Sequence, residues 1–300
     1  MAPNPDLNAD DLRALLAVAR SGRLISAAAL LGVDHTTVRR RLDRLEQALG
    51  VKLLDRGAEG WELTAVGREV VSRAASVEEI VESVVAAASG REAALRGTVR
   101  LVAPEGFAVS FATPALSRLR AVAPEVNVEL VTSTRPLSAR GAGFDLAVAV
   151  GTHGASGILS ENLASYALRL YASPEYLDSH PPIREMGDLH GHALVYYVDS
   201  LLPVSELDLA PQLGGMPVGF GSTSVVAQLE ATRRGAGIGL LHAFMAGSDP
   251  ALVPVLPAEV DFRLQFTLAV RRESRSVTAV AAVRQALLDE VEARRGELIP

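Results

Sequence analysis

Residues 34–50 read Asp-His-Thr-Thr-Val-Arg-Arg-Arg-Leu-Asp-Arg-Leu-Glu-Gln-Ala-Leu-Gly, and the punctuation of this stretch decides the fold. Gly32 and Val33 make a tight turn ahead of it. Asp34 is a natural N-cap, because a short carboxylate can accept from the amides of the first helical turn. A helix therefore runs from Asp34 to about Ala48, and Gly50 ends it. Val38, Leu42, Leu45 and Leu49 recur at helical spacing and make one apolar stripe. Arg39, Arg40, Arg41 and Arg44 fall mostly off that stripe and point away from it.

Working outward, residues 8–20 form a helix capped by Asn8, with Leu12, Leu15, Leu16 and Ala19 on one face and Ser21-Gly22 at its end. A second short helix covers about 24–31, with Ala27, Ala28 and Leu31 apolar. Beyond Gly50, extended pieces near Lys52–Asp55 and Trp61–Leu63 flank Gly57 and Gly60, which suits a hairpin. Three helices, a tight turn and a glycine-tipped hairpin describe a winged helix-turn-helix. The major groove of DNA admits an α-helix, and its edges present acceptors that arginine reads. Phosphates take cations and hydroxyls at a helix start. His35, Thr36 and Thr37 fall in the first turn of the third helix, and Arg39 and Arg40 follow one turn later. Arg41 and Arg44 are placed for phosphate, and Arg56 in the hairpin for the flanking backbone or minor groove.

The stretch Leu12 to Gly67 resembles the DNA-binding domain of the LysR-type transcriptional regulators. The resemblance is carried by Ala27-Ala28, Leu31-Gly32-Val33, Thr37-Val38, Leu45-Glu46, Leu49-Gly50-Val51, Leu53-Leu54-Asp55-Arg56 and Leu63-Thr64-Ala65-Val66-Gly67. Four positions depart from the family. Arg23 stands where a serine is usual, which weakens the cap of the second helix. Asp34-His35 replaces Ser-Gln, and Arg39 replaces a common serine. His35 in place of a glutamine changes the expected base preference, and Arg39 shifts it toward guanine or phosphate.

Three hundred residues suit two domains, and 49% hydrophobic residues supply sizeable cores. With aromatics at only 4%, those cores are built mainly from Ala, Val and Leu. The absence of cysteine excludes disulfides and thiolate metal sites. The first ten residues lack a signal-peptide pattern, and no apolar run approaches a membrane span, so the expectation is a soluble cytoplasmic protein with no membrane partner. A net charge of −6 disfavours a generally sticky nucleic-acid binder without bearing on a local basic patch.

From Thr64 to about Ala94 the pattern is one long helix. Val70, Ala74, Val77, Val81, Val84 and Ala88 alternate steps of four and three, a seam of the kind that pairs with another helix. Packing on its own domain is the other use of such a seam. The family resemblance implies a homodimer through these linker helices, reading two half-sites, and suggests a homotetramer. The expected boundaries are 1–67 for the winged helix-turn-helix, 68–96 for the linker helix and 97–300 for the effector domain, with a hinge bracketed by Gly90 and Gly97.

Beyond Gly97 the texture is α/β. Strands are expected at Val99–Ala103, Val126–Thr132, Phe144–Val150, residues 166–172, Leu194–Val198, Pro217–Gly221, Ile238–Leu241 and Phe262–Val270. Helices are expected at Phe111–Val122, Ser224–Arg234 and Ser276–Ala293. Alternation of this kind predicts a mostly parallel sheet with helices on both faces. The resemblance implies a two-lobed, type-2 periplasmic-binding-protein-like effector domain. Its crossings fall near Leu163–Tyr166 and Leu264–Phe266, giving lobe I as 97–164 with 266–300, and lobe II as 165–265. Ligands in open α/β sheets sit beyond the strand C-terminal ends, where helix N-termini favour anions. The candidate effector residues are Pro104, Glu105 and Gly106, then Ser133, Thr134 and Arg135, then Thr152 beside His153, and Tyr197, Ser222 and Thr223 from the second lobe. The hydroxyls and Arg135 suit a carboxylate or other polar ligand, whereas Glu105 repels an anion. Serines and threonines at helix starts also act as simple caps.

Gly235-Ala236-Gly237-Ile238-Gly239 imitates a phosphate loop, but it follows a helix and has Leu240 where the third glycine belongs, so it reads as a helix C-cap entering a buried strand. His190 and His192 flank Gly191 without a further ligand cluster, and no metal or cofactor is expected. No nucleophile with an evident base, nucleophile elbow or His-Glu-x-x-His pattern is present, so no catalytic residue is assigned. The reading is a sequence-specific regulator that binds double-stranded DNA and responds to a small-molecule effector. Its rivals are a solute-binding protein or enzyme on the same fold, and an architectural DNA binder that senses nothing.

Overall fold

The computed structural model describes residues 7–21, 23–56, 61–71, 73–74, 95–133, 144–151, 158–198, 204–275 and 277–299. The chain divides into two compact units, Met1–Ala94 and Leu95–Pro300. Among the described residues, no helix is long and apolar enough to cross a membrane.

The first unit contains α1 (Ala9–Ser21), α2 (Leu24–Leu31), α3 (His35–Leu49) and an antiparallel hairpin of β1 (Leu54–Arg56) and β2 (Trp61–Leu63). A further helix, α4, starts at residue 65 and is described to residue 74. Asn8 caps α1 by accepting from the Asp10 amide at 2.8 Å. Arg23, at the N-cap of α2, makes no side-chain cap bond, as the residue type predicts. Gly32 closes α2 at φ 64°, a left-handed conformation glycine adopts without a Cβ clash. Leu15, Val18, Ala27, Ala28, Val38, Leu42, Leu45 and Leu53 fuse the helices and hairpin into one core. Glu46 leaves α3 to tie the hairpin down: Oε1 accepts from the Leu53 and Leu54 amides at 2.8 and 3.3 Å, and Lys52 pairs with Oε2. Burial opposes the Glu46 charge, yet Lys52 and the two amides outweigh it and hold the carboxyl below its ordinary pKa. At the head of α4, the Thr64 hydroxyl accepts from the Gly67 amide at 2.9 Å. A Cβ at Gly67 would lie 2.0 Å from the Leu53 carbonyl oxygen, so that close approach requires glycine.

The second unit is one mixed sheet in the order β4-β3-β5-β11-β6-β9-β7-β8, with β10 on β6. The strands are β3 (Gly97–Ala103), β4 (Val126–Thr132), β5 (Leu146–Val150), β6 (Ile158–Ala172), β7 (Leu194–Tyr196), β8 (Val218–Gly221), β9 (Ile238–His242), β10 (Val253–Val255) and β11 (Phe262–Arg271). A single helical turn, α5 (Glu105–Phe107), runs through a π-helical segment (Ala108–Ala112) into α6 (Thr113–Val122). The remaining helices are α7 (Pro174–Ser179), α8 (Val225–Arg233), α9 (Ala243–Ala246), α10 (Thr278–Ala293) and α11 (Arg295–Leu298).

The expectation of a mostly parallel sheet is corrected. The two ends are parallel, β4-β3-β5 at one and β9-β7-β8 at the other. The middle is antiparallel, because the two longest strands, β6 and β11, run past each other and pair with β9, β5 and β10. The register of β11 on β6 shifts between Phe266 and Thr267, where the partners jump from Ala164 to Asn162 and skip Leu163. This irregularity falls where the chain was expected to cross between lobes. Strand β6 starts eight residues earlier than the 166–172 alternation indicated, since Ser160, Glu161 and Asn162 are exposed and carry no apolar signal. The helical run after β3 likewise starts at Glu105 rather than Phe111, and buries both Phe107 and Phe111. The Gly235 stretch is the C-terminal turn of α8 leading into β9: Gly235 (φ 75°) donates to the Thr232 carbonyl.

Candidate functional site

The chemistry at the head of α3 is set by Asp34. Its Oδ1 accepts from the Thr36 amide at 2.6 Å, the Thr36 hydroxyl at 2.5 Å and the Thr37 amide at 3.1 Å. The Thr36 hydroxyl first, then the two amides, hold the Asp34 carboxyl below its ordinary pKa. His35 and Thr36 are exposed on the first turn and Thr37 is half-buried. Arg39 and Arg40 are exposed one turn on, and with Leu24, His35, Thr36 and Asp43 they line a shallow concavity on the outer face of α3.

The arginines divide into two groups. Arg39 pairs with Asp43 at 3.1 Å and lays its guanidinium over the Trp61 ring, 4.9 Å from the centroid. Arg56 approaches the same ring at 6.0 Å. One indole thus connects α3 to both strands of the hairpin, and Arg40 lies beside Arg39 on the same face. Arg41 and Arg44 each reach an acid of α1, although Arg44 also borders the concavity. Arg41 bonds Asp10 at 3.2 Å and Arg44 bonds Asp11 at 2.6 Å, both on α1. Both are expected from the sequence to be placed for phosphate, and each pairs with an acid of α1, which packs against α3. Arg44 nevertheless keeps 54% of its side chain exposed. Asp43 and Trp61 were missed by sequence reasoning. The i,i+4 spacing of Arg39 and Asp43 was the available signal.

Of the linker seam, Val70 and Ala74 are described. Val70 and Val71 pack against the core of the first unit, and Ala74 is buried. Val77, Val81, Val84, Ala88 and Gly90 lie outside the described residues.

In the second unit, Pro104 and Gly106 are buried and Glu105 is half-buried after β3. The Glu105 carboxylate reaches the N-terminus of α8: Oε1 accepts from the Ser224 hydroxyl at 3.1 Å, and Oε2 from the Val225 amide at 2.7 Å. A Cβ at Gly106 would touch Met245 Sδ at 3.2 Å and the His242 ring at 3.5 Å. Ser133 is half-buried, and its amide donates to the Ala103 carbonyl at 2.9 Å. Ser222 receives the Ser224 amide at 3.1 Å, and Thr223 is exposed. Tyr197 is buried beside Tyr196, and burial first, then Tyr196 and Glu105, push its hydroxyl pKa upward. Thr134, Arg135, Thr152 and His153 lie outside the described residues. Pro104, Glu105, Gly106, Tyr197, Ser222 and Thr223 are therefore brought to one neighbourhood by the Glu105–Ser224 contact, and Ser133 closes the next strand end. Sequence reasoning missed Tyr166 and His242. Tyr166 is fully buried, stacks on Phe266 at 4.0 Å and faces His242 at 5.4 Å. Both looked like ordinary strand residues. Tyr196, by contrast, is a core staple, with its hydroxyl shared between the Leu207 carbonyl and the Leu209 amide. His192 is buried against the Tyr176 hydroxyl and His190 is exposed. Among the described residues, no three His, Cys, Asp or Glu side chains converge.

Comparison with known proteins agrees with this architecture. Residues 9–68 match the bacterial regulatory helix-turn-helix protein, lysR family, and residues 92–292 match the LysR substrate binding domain. The chain is 29% identical over 173 residues to an HTH-type transcriptional regulator of Xanthomonas campestris pv. campestris, covering 58% of this chain and 50% of that protein. It is 26% identical over 257 residues to the HTH-type transcriptional regulator CrgA of Neisseria meningitidis, covering 83% and 85%. The matched region thus spans only half the length of the first relative. In fold, the chain is similar to CrgA (TM-score 0.57, 23% identity, covering 95% and 99% of the two chains). It is similar also to full-length LysG of Corynebacterium glutamicum with bound effector Arg (TM-score 0.64, 20% identity, 96% and 99%). With a helix-turn-helix match and a substrate-domain match that together take in most of its length, this chain belongs to the LysR family of bacterial helix-turn-helix transcriptional regulators.

Proposed function

We propose that the protein is a sequence-specific transcriptional regulator whose α3 enters the major groove of double-stranded DNA and whose second unit binds a small-molecule effector. The carrying observation is the outer face of α3. A helix capped by Asp34 presents His35, Thr36, Arg39 and Arg40 together, and Trp61 ties that face to the hairpin. His35, Thr36, Arg39 and Arg40 meet base edges. Thr37 and Arg56 hold backbone, and Arg41 and Arg44 contribute positive field while anchored to α1. The acidic residues of α1 trim that field, which favours a register-dependent contact over indiscriminate phosphate binding.

Two copies joined through α4 would read two half-sites, and ligand at the loops after β3, β4, β5 and β7 would shift one end of the sheet against the other. Pro104, Glu105, Gly106, Ser133, Thr134, Arg135, Thr152, Tyr197, Ser222 and Thr223 form the proposed effector shell, and the cytoplasm is the proposed compartment. The test is genomic site mapping with the full-length protein, followed by titration of the recovered site against scrambled DNA. Selective binding that Arg40→Ala weakens supports the reading. Binding indifferent to sequence would favour an architectural protein, and no binding would favour a solute receptor or enzyme on the same fold.

A further inference from the structure

Among the described residues, Arg39 differs from the other arginines of α3 in being held from two sides on the outer face. Its Nε donates to both oxygens of Asp43, one helical turn on, at 3.1 and 3.3 Å. Its guanidinium carbon stands 4.9 Å from the centre of the Trp61 ring. Trp61 is itself fixed, because it packs against the core of the first unit and sits opposite Arg56 across the hairpin. Arg39 and Asp43 nevertheless keep 50% and 53% of their side chains exposed, and both line the concavity that His35 and Thr36 share. The arrangement orders a charged side chain without hiding it.

A guanidinium carries five N–H donors in one planar fork. Asp43 takes the donor on Nε, and the two terminal nitrogens make no bond among the described residues. That end of the fork presents parallel donors, the pattern that matches O6 and N7 of guanine in the major groove. Ordering a long side chain costs rotamer freedom, and here the ordering precedes DNA. Asp43 also decides between the two kinds of acceptor that DNA offers. A half-exposed carboxylate beside the fork repels a phosphate, which carries a full negative charge. It acts far less on a base edge, which carries only partial charges. A pair that is neutral as a whole gains little from phosphate and keeps the direction of its donors.

We propose that Arg39 reads a guanine in the major groove through its two terminal nitrogens, and that Asp43 and Trp61 are positioning residues that aim it at the base rather than at a phosphate. The proposal rests on the DNA-binding reading given above, and adds which base is read and what supports the residue that reads it.

The probe is the duplex that the full-length protein selects from a randomised pool. At each G·C pair in turn, guanine is replaced by 7-deazaguanine, which pairs normally and lacks the N7 acceptor. One such replacement should weaken wild type about fivefold or more, and the same replacement should leave Arg39→Ala unaffected, because the donors it served are already gone. Arg39→Lys should lose the preference for guanine too, since an ammonium has no fork. Asp43→Ala should lower the preference for guanine over adenine at that pair about fivefold or more, while raising affinity for scrambled duplex. Asp43→Asn still offers Nε an acceptor, so it should raise the affinity for scrambled duplex and keep the preference. Trp61→Leu should lower the preference without that rise, and Trp61→Phe should restore most of it. A variant that fails to fold loses both duplexes, so opposed changes in preference and affinity identify positioning. A 7-deazaguanine effect equal in wild type and Arg39→Ala at every pair would overturn the proposal. So would an Asp43→Ala protein that binds both duplexes more tightly with its preference unchanged, the signature of a phosphate contact. Wild type that selects no duplex refutes the DNA-binding reading itself, whereas wild type that selects one without coupling to Arg39 refutes the guanine contact alone.

Discussion

Acidification should act on the second unit through His242, and the effect can be sized. His242 is buried at the end of β9, with its ring facing Tyr166 at 5.4 Å and Phe244 at 5.1 Å. Burial alone drives its pKa from 6.5 down to about 4. The folded chain therefore keeps the ring neutral where the unfolded chain would protonate it. The stabilisation is whole above the unfolded pKa and is lost as pH falls toward the folded pKa, so stability rises with pH between about 4 and 6.5. The full shift corresponds to about 3 kcal/mol, most of which is lost between about pH 7.5 and about pH 4.5. His242→Phe keeps the aromatic contacts and removes the titration. Urea unfolding of both proteins across that range, followed by near-ultraviolet circular dichroism, isolates the histidine as a difference of differences. Wild type should lose about 2–3 kcal/mol more than the variant. Parallel pH profiles would refute the reasoning, and show that the ring is hydrated or finds a proton acceptor when charged.

Other perturbations separate the roles of the charged groups. Arg40→Ala should weaken operator binding by about 1–3 kcal/mol if the guanidinium reads a base, with selectivity relaxed at one position. A loss uniform across sequences, with a salt slope smaller by about one, would assign it to phosphate instead. Asp34→Ala should fray the first turn of α3 and reduce DNA affinity, whereas Asp34→Asn should keep both, as read by circular dichroism and binding titration. Leu45→Ala empties a fully buried site in the small core of the first unit and should cost about 2–5 kcal/mol, seen as an earlier melting transition with loss of DNA binding. Trp61 is the only tryptophan of the chain, so its emission should change on operator binding as Arg39 and Arg56 rearrange over the indole, and Trp61→Phe should remove the signal.

The arginine-rich face also shows how an acidic protein can carry a locally basic surface. Net charge is −6, yet acids close to the arginines are placed selectively. Asp10 and Asp11 hold Arg41 and Arg44 on the α1 side, and Asp43 steers Arg39 toward Trp61. The exposed Arg39–Asp43 pair adds little stability, with typical values of about 0.2–1 kcal/mol, whereas the Asp11 carboxylate that Arg44 holds is buried. Their consequence lies in the direction each guanidinium points.

The amino-acid order by itself determined whatever depends on near neighbours. The Asp34 cap, the Val38–Leu42–Leu45 stripe, the Gly32 turn and the limits of β4 need only residues within a few positions of one another, and periodicity and capping report them directly. Tertiary structure alone decided which partners meet from afar. Arg44 finds Asp11 thirty-three positions away, and Ser224 finds Glu105 across one hundred and nineteen. It also decided that β6 and β11 run antiparallel through the centre of a sheet whose ends are parallel. Strand direction and charge pairing depend on how elements cross once packed. Local pattern carries no term for that crossing, which is why the candidate helix could be read from the sequence and the contact of Glu105 with Ser224 could not.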